Sequence, residues 1–438
     1  MALWNAEFEA MPRAPLNALQ LQRLQSVVAR VASLSPFYER RFAEAGVRPE
    51  MVRFLEDITR LPFTTKAALR YQYPWGLCTV PLKEVVRIHT SSGTTGKPVV
   101  ACYTRGDLGV WAEVCARSLT AAGVTTEDIV QNSYGYGLFT GGLGIQAGAE
   151  TIGATVVPVS SGLTARQLMI MEDFGATVLT CTPSYALVLG EEAAAAGIKV
   201  RERFKLRVGI HGAEPWSEEM RYEIQETLHL QAYDIYGLTE IIGPGVAMEC
   251  EQRNGLHIFE DHFYPEIIDH STGQPLGFGV EGELVFTTLT KEAMPLIRYR
   301  TGDRTILHQE KCACGRTLVR MAKVLGRTDD MLIVRGVNVF PSQVEKVLLE
   351  FDEVAPQYQI VVDRKKHELD TFEVLVEAAE AFSQANDTAC LEALEKKIQH
   401  RLHEALVIHC KVSVVKPRSI ERSTGKAARV VDRRKIGG

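Results

Sequence analysis

The sequence predicts an α/β protein with a large N-terminal domain of βαβ units and mixed sheets, followed by a small α+β C-terminal domain. Two observations carry that prediction. Through about residue 325, short β-branched runs alternate with helix-period segments, the pattern of largely parallel, buried strands joined by crossover helices. After Gly326, charged helical stretches such as ALEKKIQHRLHEAL alternate with QIVVD, FEVLVEA and KVSVVKP, the pattern of a compact α+β unit. The expected division is residues 1–326 and 327–438.

The elements follow in order. In LNALQLQRLQSVVARVASL, Leu16, Leu19, Leu24, Val27, Val28 and Val31 recur at helical spacing and predict one buried helix face. RIHT and VVACY are short β-branched runs on either side of SSGTTGKP, so that glycine-rich stretch is expected to join two strands. ATVVPVS, ATVLTCT and LRVGIHG read as buried strands, with TARQLMIMEDFG and YALVLGEEAAAAG as the helices between them. AYDIYGLTE adds a strand ending at Gly237.

Composition narrows the function. With 438 residues, 46% hydrophobic and 24% charged, the chain is long enough to bury a large core and a smaller one. A formal net charge of −5 argues against nucleic acid as a main partner, since a duplex binder carries a basic face. No apolar run reaches membrane-spanning length, and MALWNAEFEAMPRAP lacks the apolar stretch of a secretory signal, so a cytoplasmic protein with no membrane partner is expected. Nine scattered cysteines, an odd number, suit a reducing compartment better than a disulfide framework.

SSGTTGKP has the composition of a phosphate cradle: small residues let backbone N–H groups close on an anion, while hydroxyls and an ammonium add donors. It is not a Walker A loop, because only Thr94 and Thr95 separate Gly93 from Gly96, and Pro98 follows Lys97. A hairpin flap over a triphosphate fits these residues, and so does an ordinary surface turn. Tyr236 and Glu240 fall near a strand's carboxyl edge, where open α/β sheets place ligands; they suit base stacking and Mg²⁺, or a core aromatic and a solvated acid. Asp303, after a Gly turn in IRYRTGD, suits ribose hydroxyls or the turn itself. In GRTDDMLIVRG, Arg327 suits an anion or a ribose, and Asp329 marks the composition shift. RSTGKAARVVDRR carries Lys426 on a Gly turn, or is a solvated basic tail.

In order and spacing these segments resemble the adenylate-forming superfamily of acyl-CoA synthetases, adenylation domains and luciferases, and within it the phenylacetate-CoA ligase family. The closer resemblance rests on YGYGLFTGGLG, HGAEPW, IYGLTE, FEDHFYPEIID, LTKEAMPLIRYRTGD and GRTDDMLIVRGVNVFPSQVE, and runs from about Leu61 to the end. It implies an AMP-forming ligase that converts ATP, an aromatic carboxylic acid and CoA into aryl-CoA, AMP and diphosphate through an acyl-adenylate. A carboxylate must then attack the α-phosphate, and the repulsion between these anions has to be offset by cations.

By that resemblance Ser91, Ser92, Gly93, Thr94, Thr95, Gly96 and Lys97 grip the β- and γ-phosphates, Glu240 binds Mg²⁺, and Tyr236 stacks on adenine. Gly237, Thr239, Glu214 and Pro215 belong to the ATP site, Asp303 holds the ribose, and Arg327 contacts ribose or phosphate. Lys426 lies beside the carboxylate and α-phosphate, so Lys426, Glu240 and Lys97 carry the chemistry, and the small domain is mobile about a hinge at Asp329.

The same family uses a glycine-rich segment like that of Tyr134, Tyr136 and Phe139 around its aromatic acid. Ala213, Gly243 and Pro244 are small walls suited to a planar ring; aromatics at such a bend also suit packing. Phenylacetate is the leading acid, and benzoate-type or other arylacetic acids need only small changes of wall volume. Cys312 and Cys314 in EKCACGRT, with Cys250 and His257 in ECEQRNGLH, compose a Cys₃His set for a closed structural Zn²⁺, with Gly315 giving the turn; small buried apolar cysteines are the alternative. Two other readings stand beside the ligase: an enzyme that loads a carrier protein, whose motifs would be the same, and a nucleotide sensor without catalysis, which would need neither Lys426 nor Glu240. A homodimer is compatible with each.

Overall fold

The computed structural model describes residues 2–91, 98–328, 332–335, 337–364, 370–385, 388–423, 427 and 429–434. β1 (Arg87–Thr90) and β2 (Val100–Tyr103) pair antiparallel, with Thr90 opposite Val100, as the reading of RIHT and VVACY required. β3 (Ile129–Asn132), β4 (Thr155–Val157), β5 (Val178–Cys181), β6 (Val208–Gly212) and β7 (Gln231–Leu238) are parallel, in the order 4-3-5-6-7. β8 (Gly243–Glu249), β9 (Leu256–Ile258), β10 (Phe263–Ile268), β11 (Glu281–Thr288), β12 (Tyr299–His308), β13 (Arg320–Met321) and β14 (Gly326–Arg327) extend the same sheet antiparallel. Its order from β7 is 7-8-9-13-12-11-10, and β14 pairs with β12.

A second, smaller assembly follows. β15 (Leu332–Val334) and β16 (Val337–Val339) form a hairpin, and β17 (Val354–Asp363), β18 (Thr371–Ala378), β19 (Lys411–Val415) and β20 (Val430–Asp432) form a sheet of order 19-18-17-20. Val344 and Val347 of helix Pro341–Leu348 and Ile398 and Leu402 of helix Thr388–Leu406 pack on this sheet's Ile360 and Val374, in a core separate from those of the large sheet.

Three sequence expectations need correction. Leu19 is only half-buried on helix Arg13–Leu34, and the helical phase puts Gln20 inside instead, where its amide donates to Glu260 O (3.0 Å). The glycine before Asp303 makes no turn: Gly302, at φ +78°, lies within continuous strand β12, where the register slips against β11 as a bulge. The basic tail is not simply solvated, because Val430–Asp432 pair parallel with Ile360–Val362 as an edge strand.

Helices Arg105–Ala121 and Gly141–Ile152 approach closely because the second presents glycines. A Cβ on Gly144 would lie 2.6 Å from Trp111, and one on Gly148 would lie 2.5 Å from Cys115. Asp107 fixes the start of the first helix. Its carboxylate and the Thr104 hydroxyl each accept the other's backbone N–H, and the same carboxylate accepts the amides of Glu292 (2.6 Å) and Ala293 (3.0 Å). A single buried acid thus caps a helix and pins the segment leading into β12. Asp107→Ala removes the cap and leaves two amides without acceptors, and is expected to cost about 3 kcal/mol in urea unfolding. Asp107→Asn, which keeps an acceptor oxygen, should cost less.

Candidate functional site

The parallel strands deliver their carboxyl ends to one edge of the sheet. After β3 comes the segment with Tyr134, Tyr136 and Phe139; after β5, Ser184; after β6, Ala213 and Glu214; after β7, Thr239 and Glu240. An edge of this kind collects loops from strands distant in sequence, which is why open α/β sheets bind ligands there.

Glu214 is a bridge. One oxygen accepts the amide of Ser184 (2.8 Å), in the first turn of helix Pro183–Ala195, and the other accepts the amide of Ala427 (2.9 Å) from the small assembly. Ala213 just before it adopts a left-handed φ of +73°, a strained backbone for a residue with a Cβ, while Pro215 is exposed. The same helix makes a second contact farther along. Glu191 accepts from Arg422 at 2.9 and 3.3 Å, and Arg422 also holds the buried Glu377 of β18 at 2.7 and 2.8 Å. The chain is therefore tied to the large assembly at Arg422, through Glu191 of that helix, and at Ala427, through Glu214.

Tyr236, Asp303 and Arg327 meet. The Tyr236 hydroxyl donates to one Asp303 oxygen (2.5 Å), and the Arg327 guanidinium donates to the other (2.7 Å) and to Thr301 O (3.1 Å). Asp303 and Arg327 are direct partners in the β12–β14 ladder. Burial and the neighbouring Asp303 carboxylate push the Tyr236 phenol well above its ordinary range, so it stays a donor.

The turn after β7 is held from behind by residues that sequence reasoning missed. Lys291 Nζ donates to Ile241 O (2.7 Å) and lies 4.3 Å from the centre of the Tyr103 ring, while the Tyr103 hydroxyl donates to Ile242 O (2.9 Å). Both side chains are buried, and burial lowers the Lys291 ammonium to about 8 against the charges of Asp107 and Glu240. Tyr299 lies against Glu240 as well; burial and that carboxylate raise its phenol. In the sequence, KE in LTKEAMP looks like a solvated pair, and nothing local signals that the lysine is inside. The hydroxyl of Thr239 lies 3.4 Å from that of Thr140.

The aromatic segment is packed by glycines. Cβ atoms on Gly141 and Gly142 would lie 2.8 Å from the Phe139 ring and 3.0 Å from the Tyr136 ring, and the Tyr136 hydroxyl accepts from the Asn132 amide (2.8 Å). Tyr134 is buried next to Cys181 and Glu214. Gly243 and Pro244 face the chain's own indole: a Gly243 Cβ would lie 2.5 Å from Trp111, whose N–H donates to Pro244 O (3.0 Å). Trp111, stacked on Tyr103 at 5.1 Å, thus fills the space beside Gly243, a packing the sequence reading omitted.

Of the expected phosphate loop, Ser91 closes the hairpin base. Its amide donates to Val99 O (2.9 Å) and its hydroxyl accepts the Val99 amide (3.0 Å). Ser92, Gly93, Thr94, Thr95, Gly96 and Lys97 lie outside the described residues, as do Asp329 and Lys426. At the opposite edge of the sheet, where β8 ends antiparallel to β7, the ligand atoms of Cys250, His257, Cys312 and Cys314 all lie within 4.8 Å of one another.

Comparison with known proteins places this geometry. Residues 43–289 match the family model of the AMP-binding enzyme, and residues 336–434 that of the AMP-binding enzyme C-terminal domain. The phenylacetate-coenzyme A ligase of Thermus thermophilus is 52% identical over 99% of this chain and 100% of its own length. Crystal structures of 2-hydroxyisobutyryl-CoA ligase are 30–31% identical. One in the postadenylation state with an acyl-AMP superposes with a TM-score of 0.90, covering 97% of this chain and 91% of the other. One with acyl-AMP and CoA in the thioesterification state gives 0.72, covering 98% and 92%.

The hairpin that carries the site tests this packing directly. A Cβ on Gly237 would lie 2.0 Å from the Gly243 carbonyl across β7 and β8, whereas one on Gly277 would meet nothing within 4 Å. Gly237→Ala is therefore expected to lower the thermal midpoint by a few degrees, about 1–3 kcal/mol of overpacking, with Gly277→Ala leaving it unchanged.

Proposed function

We infer the function from one premise: the chain belongs to the phenylacetate-coenzyme A ligase family of AMP-binding enzymes, and is an ATP-dependent, AMP-forming acid–thiol ligase. We propose that its acid is phenylacetate or a close arylacetic acid, activated as the acyl-adenylate and then transferred to CoA. The observation that carries the reading is that Glu214, which accepts the amide of Ala427, and Glu240 follow neighbouring parallel strands at one sheet edge, with Tyr236 of β7 bonded to Asp303.

In this reading Asp303 and Arg327 hold the ribose, with Tyr236 orienting Asp303 and packing beside adenine next to Glu214, Pro215, Gly237 and Thr239. Glu240 is a carboxylate at the end of a parallel strand and suits Mg²⁺, which would neutralise phosphate charge; Lys291 and Tyr103 fix the turn that presents it. Ser91 sets the base of the loop through Lys97 that grips the outer phosphates. Tyr134, Tyr136, Phe139, Ala213 and Trp111 enclose the aryl group, with Gly243 and Pro244 behind the indole. Lys426 brings a cation to the point where the carboxylate meets the α-phosphate. Among the described residues no helix is long and apolar enough to cross a membrane, and we place the enzyme in the cytoplasm, where ATP and CoA are supplied.

Residues 1–326 and 327–438 act as two units that pivot at Asp329. The closer likeness to the postadenylation arrangement than to the thioesterification one supports assigning the present contacts to the adenylation side of the cycle. Arg422–Glu191 and Ala427–Glu214 then hold Lys426 in place for the first step, and both must open for the second.

Three outcomes test these assignments. In steady-state assays with CoA, ATP and Mg²⁺, kcat/KM for phenylacetate is expected to exceed that for hexanoate by about tenfold or more; equal values would remove the aryl assignment. In separated half-reactions, Lys426→Ala is expected to slow adenylation about 100-fold or more, while thioester formation from supplied phenylacetyl-adenylate is retained. Glu191→Gln, which loosens one half-buried contact worth about 1 kcal/mol, should slow adenylation about fivefold and leave the second half-reaction unchanged. Equal loss in both steps would overturn the division of labour.

A further inference from the structure

We propose that Cys250, His257, Cys312 and Cys314 bind one structural Zn²⁺, and that this metal holds the N-terminal segment 2–13 onto the large sheet. The proposal is independent of the ligase reading, since none of these residues belongs to the reacting edge.

The four groups come from two places that the fold brings together. Cys250 follows β8 and His257 lies in β9, while Cys312 and Cys314 sit in the connection from β12 to β13. His257 is the ladder partner of Arg320, so the hairpin and the connection already share a sheet. Gly315, at φ +90°, turns the connection, and its amide donates to Cys312 O (3.1 Å), which brings both thiols of the Cys-x-Cys pair inward.

The spacing matches a tetrahedral ion. With bonds to zinc of about 2.3 Å for sulfur and about 2.1 Å for nitrogen, neighbouring sulfurs lie about 3.8 Å apart and sulfur and nitrogen about 3.6 Å apart. The Cys250 and Cys312 sulfurs are 3.7 Å apart, and Cys314 Sγ is 3.4 Å from His257 Nε2. Thiols that serve as small apolar side chains are embedded among aliphatic neighbours. These three form a cluster of their own, apart from the aliphatic cores. Four protein ligands leave no open position, so the ion is structural.

Charge explains the second half of the proposal. Three thiols lose their protons on binding, and a Zn²⁺ with three thiolates and a neutral imidazole carries one net negative charge. The Arg316 guanidinium faces it, 3.7 Å from Cys314 Sγ. Arg316 is also buried against Glu9 (2.7 Å) and donates to Ala2 O (3.1 Å). Next to it, the Thr317 amide donates to Glu9 O (3.1 Å), its hydroxyl to Met11 O (2.6 Å), and its carbonyl accepts from Arg13 (3.0 Å). The cysteine loop is the surface on which residues 2–13 are laid down, and Arg316 is the joint between metal and segment.

Metal analysis of the intact protein, purified without added metal or chelator, is expected to give about one zinc per chain. Exchange into Co²⁺ should give intense thiolate-to-cobalt bands and visible bands of a tetrahedral ion. Cys312→Ser is expected to lose the zinc and to raise deuterium uptake at residues 2–13 at least severalfold, while Cys390→Ser, at an exposed thiol, changes neither. Should Cys312→Ser fail to fold, the cobalt spectrum of the unaltered protein decides the site. Metal-free protein that gives no cobalt–thiolate bands would overturn the site, and Cys312→Ser with full zinc would overturn the ligand set. Zinc loss without change at residues 2–13 would overturn the role given to the metal.

Discussion

The site depends on the parallel pairing of β3, β5, β6 and β7, because parallel strands end on the same side and their exit loops have to converge. Tyr134, Ser184, Glu214 and Glu240 are separated by many tens of residues and share one edge only for this reason. Local strain follows from the same constraint. Ala213 adopts φ +73° just before Glu214, which accepts from both Ser184 and Ala427, and Gly237 is bare because β8 passes 2.0 Å from where a Cβ would be.

That edge gathers carboxylates: Glu214, Glu240 and Asp303. Two of them are held by donors that also belong to the framework, backbone amides for Glu214 and Tyr236 with Arg327 for Asp303, and Tyr299 lies against Glu240. A nucleotide brings more negative charge, so the binding of ATP by this family of ligases calls for positive groups nearby. Lys291 is a cation set behind the turn after β7, its ammonium lowered to about 8 by burial, and kept in place by the Ile241 carbonyl and the Tyr103 ring.

Much of this was legible in the sequence. Strand and helix runs up to β7 were readable because parallel strands are continuous β-branched stretches, and the hairpin flanking SSGTTGKP was readable from two such runs; the expected alternation fails from β8 to β14, which pair antiparallel with no helix between them among the described residues. Tyr236, Asp303 and Arg327 were each singled out, and they do touch. What escaped was long-range. Burial of Lys291 depends on Tyr103 and Ile241, far away in the chain, and the filling of the space beside Gly243 by Trp111 depends on two helices that meet through glycines. Gly302 was read as a turn because a glycine before an aspartate has that local signature, and only the register against β11 makes it a bulge. The last basic stretch resembled a solvated tail because β20 is three residues long and gains its identity from pairing with β17.

The order 19-18-17-20 puts β19 and β20 at opposite borders of the small sheet, so the chain leaves one border at Val415 and returns at the other at Val430. Up to Arg422 the crossing is fastened to the sheet itself: the amides of Arg418 and Ile420 and the Arg422 guanidinium all donate to Glu377 of β18, so this part of the chain has no slack of its own.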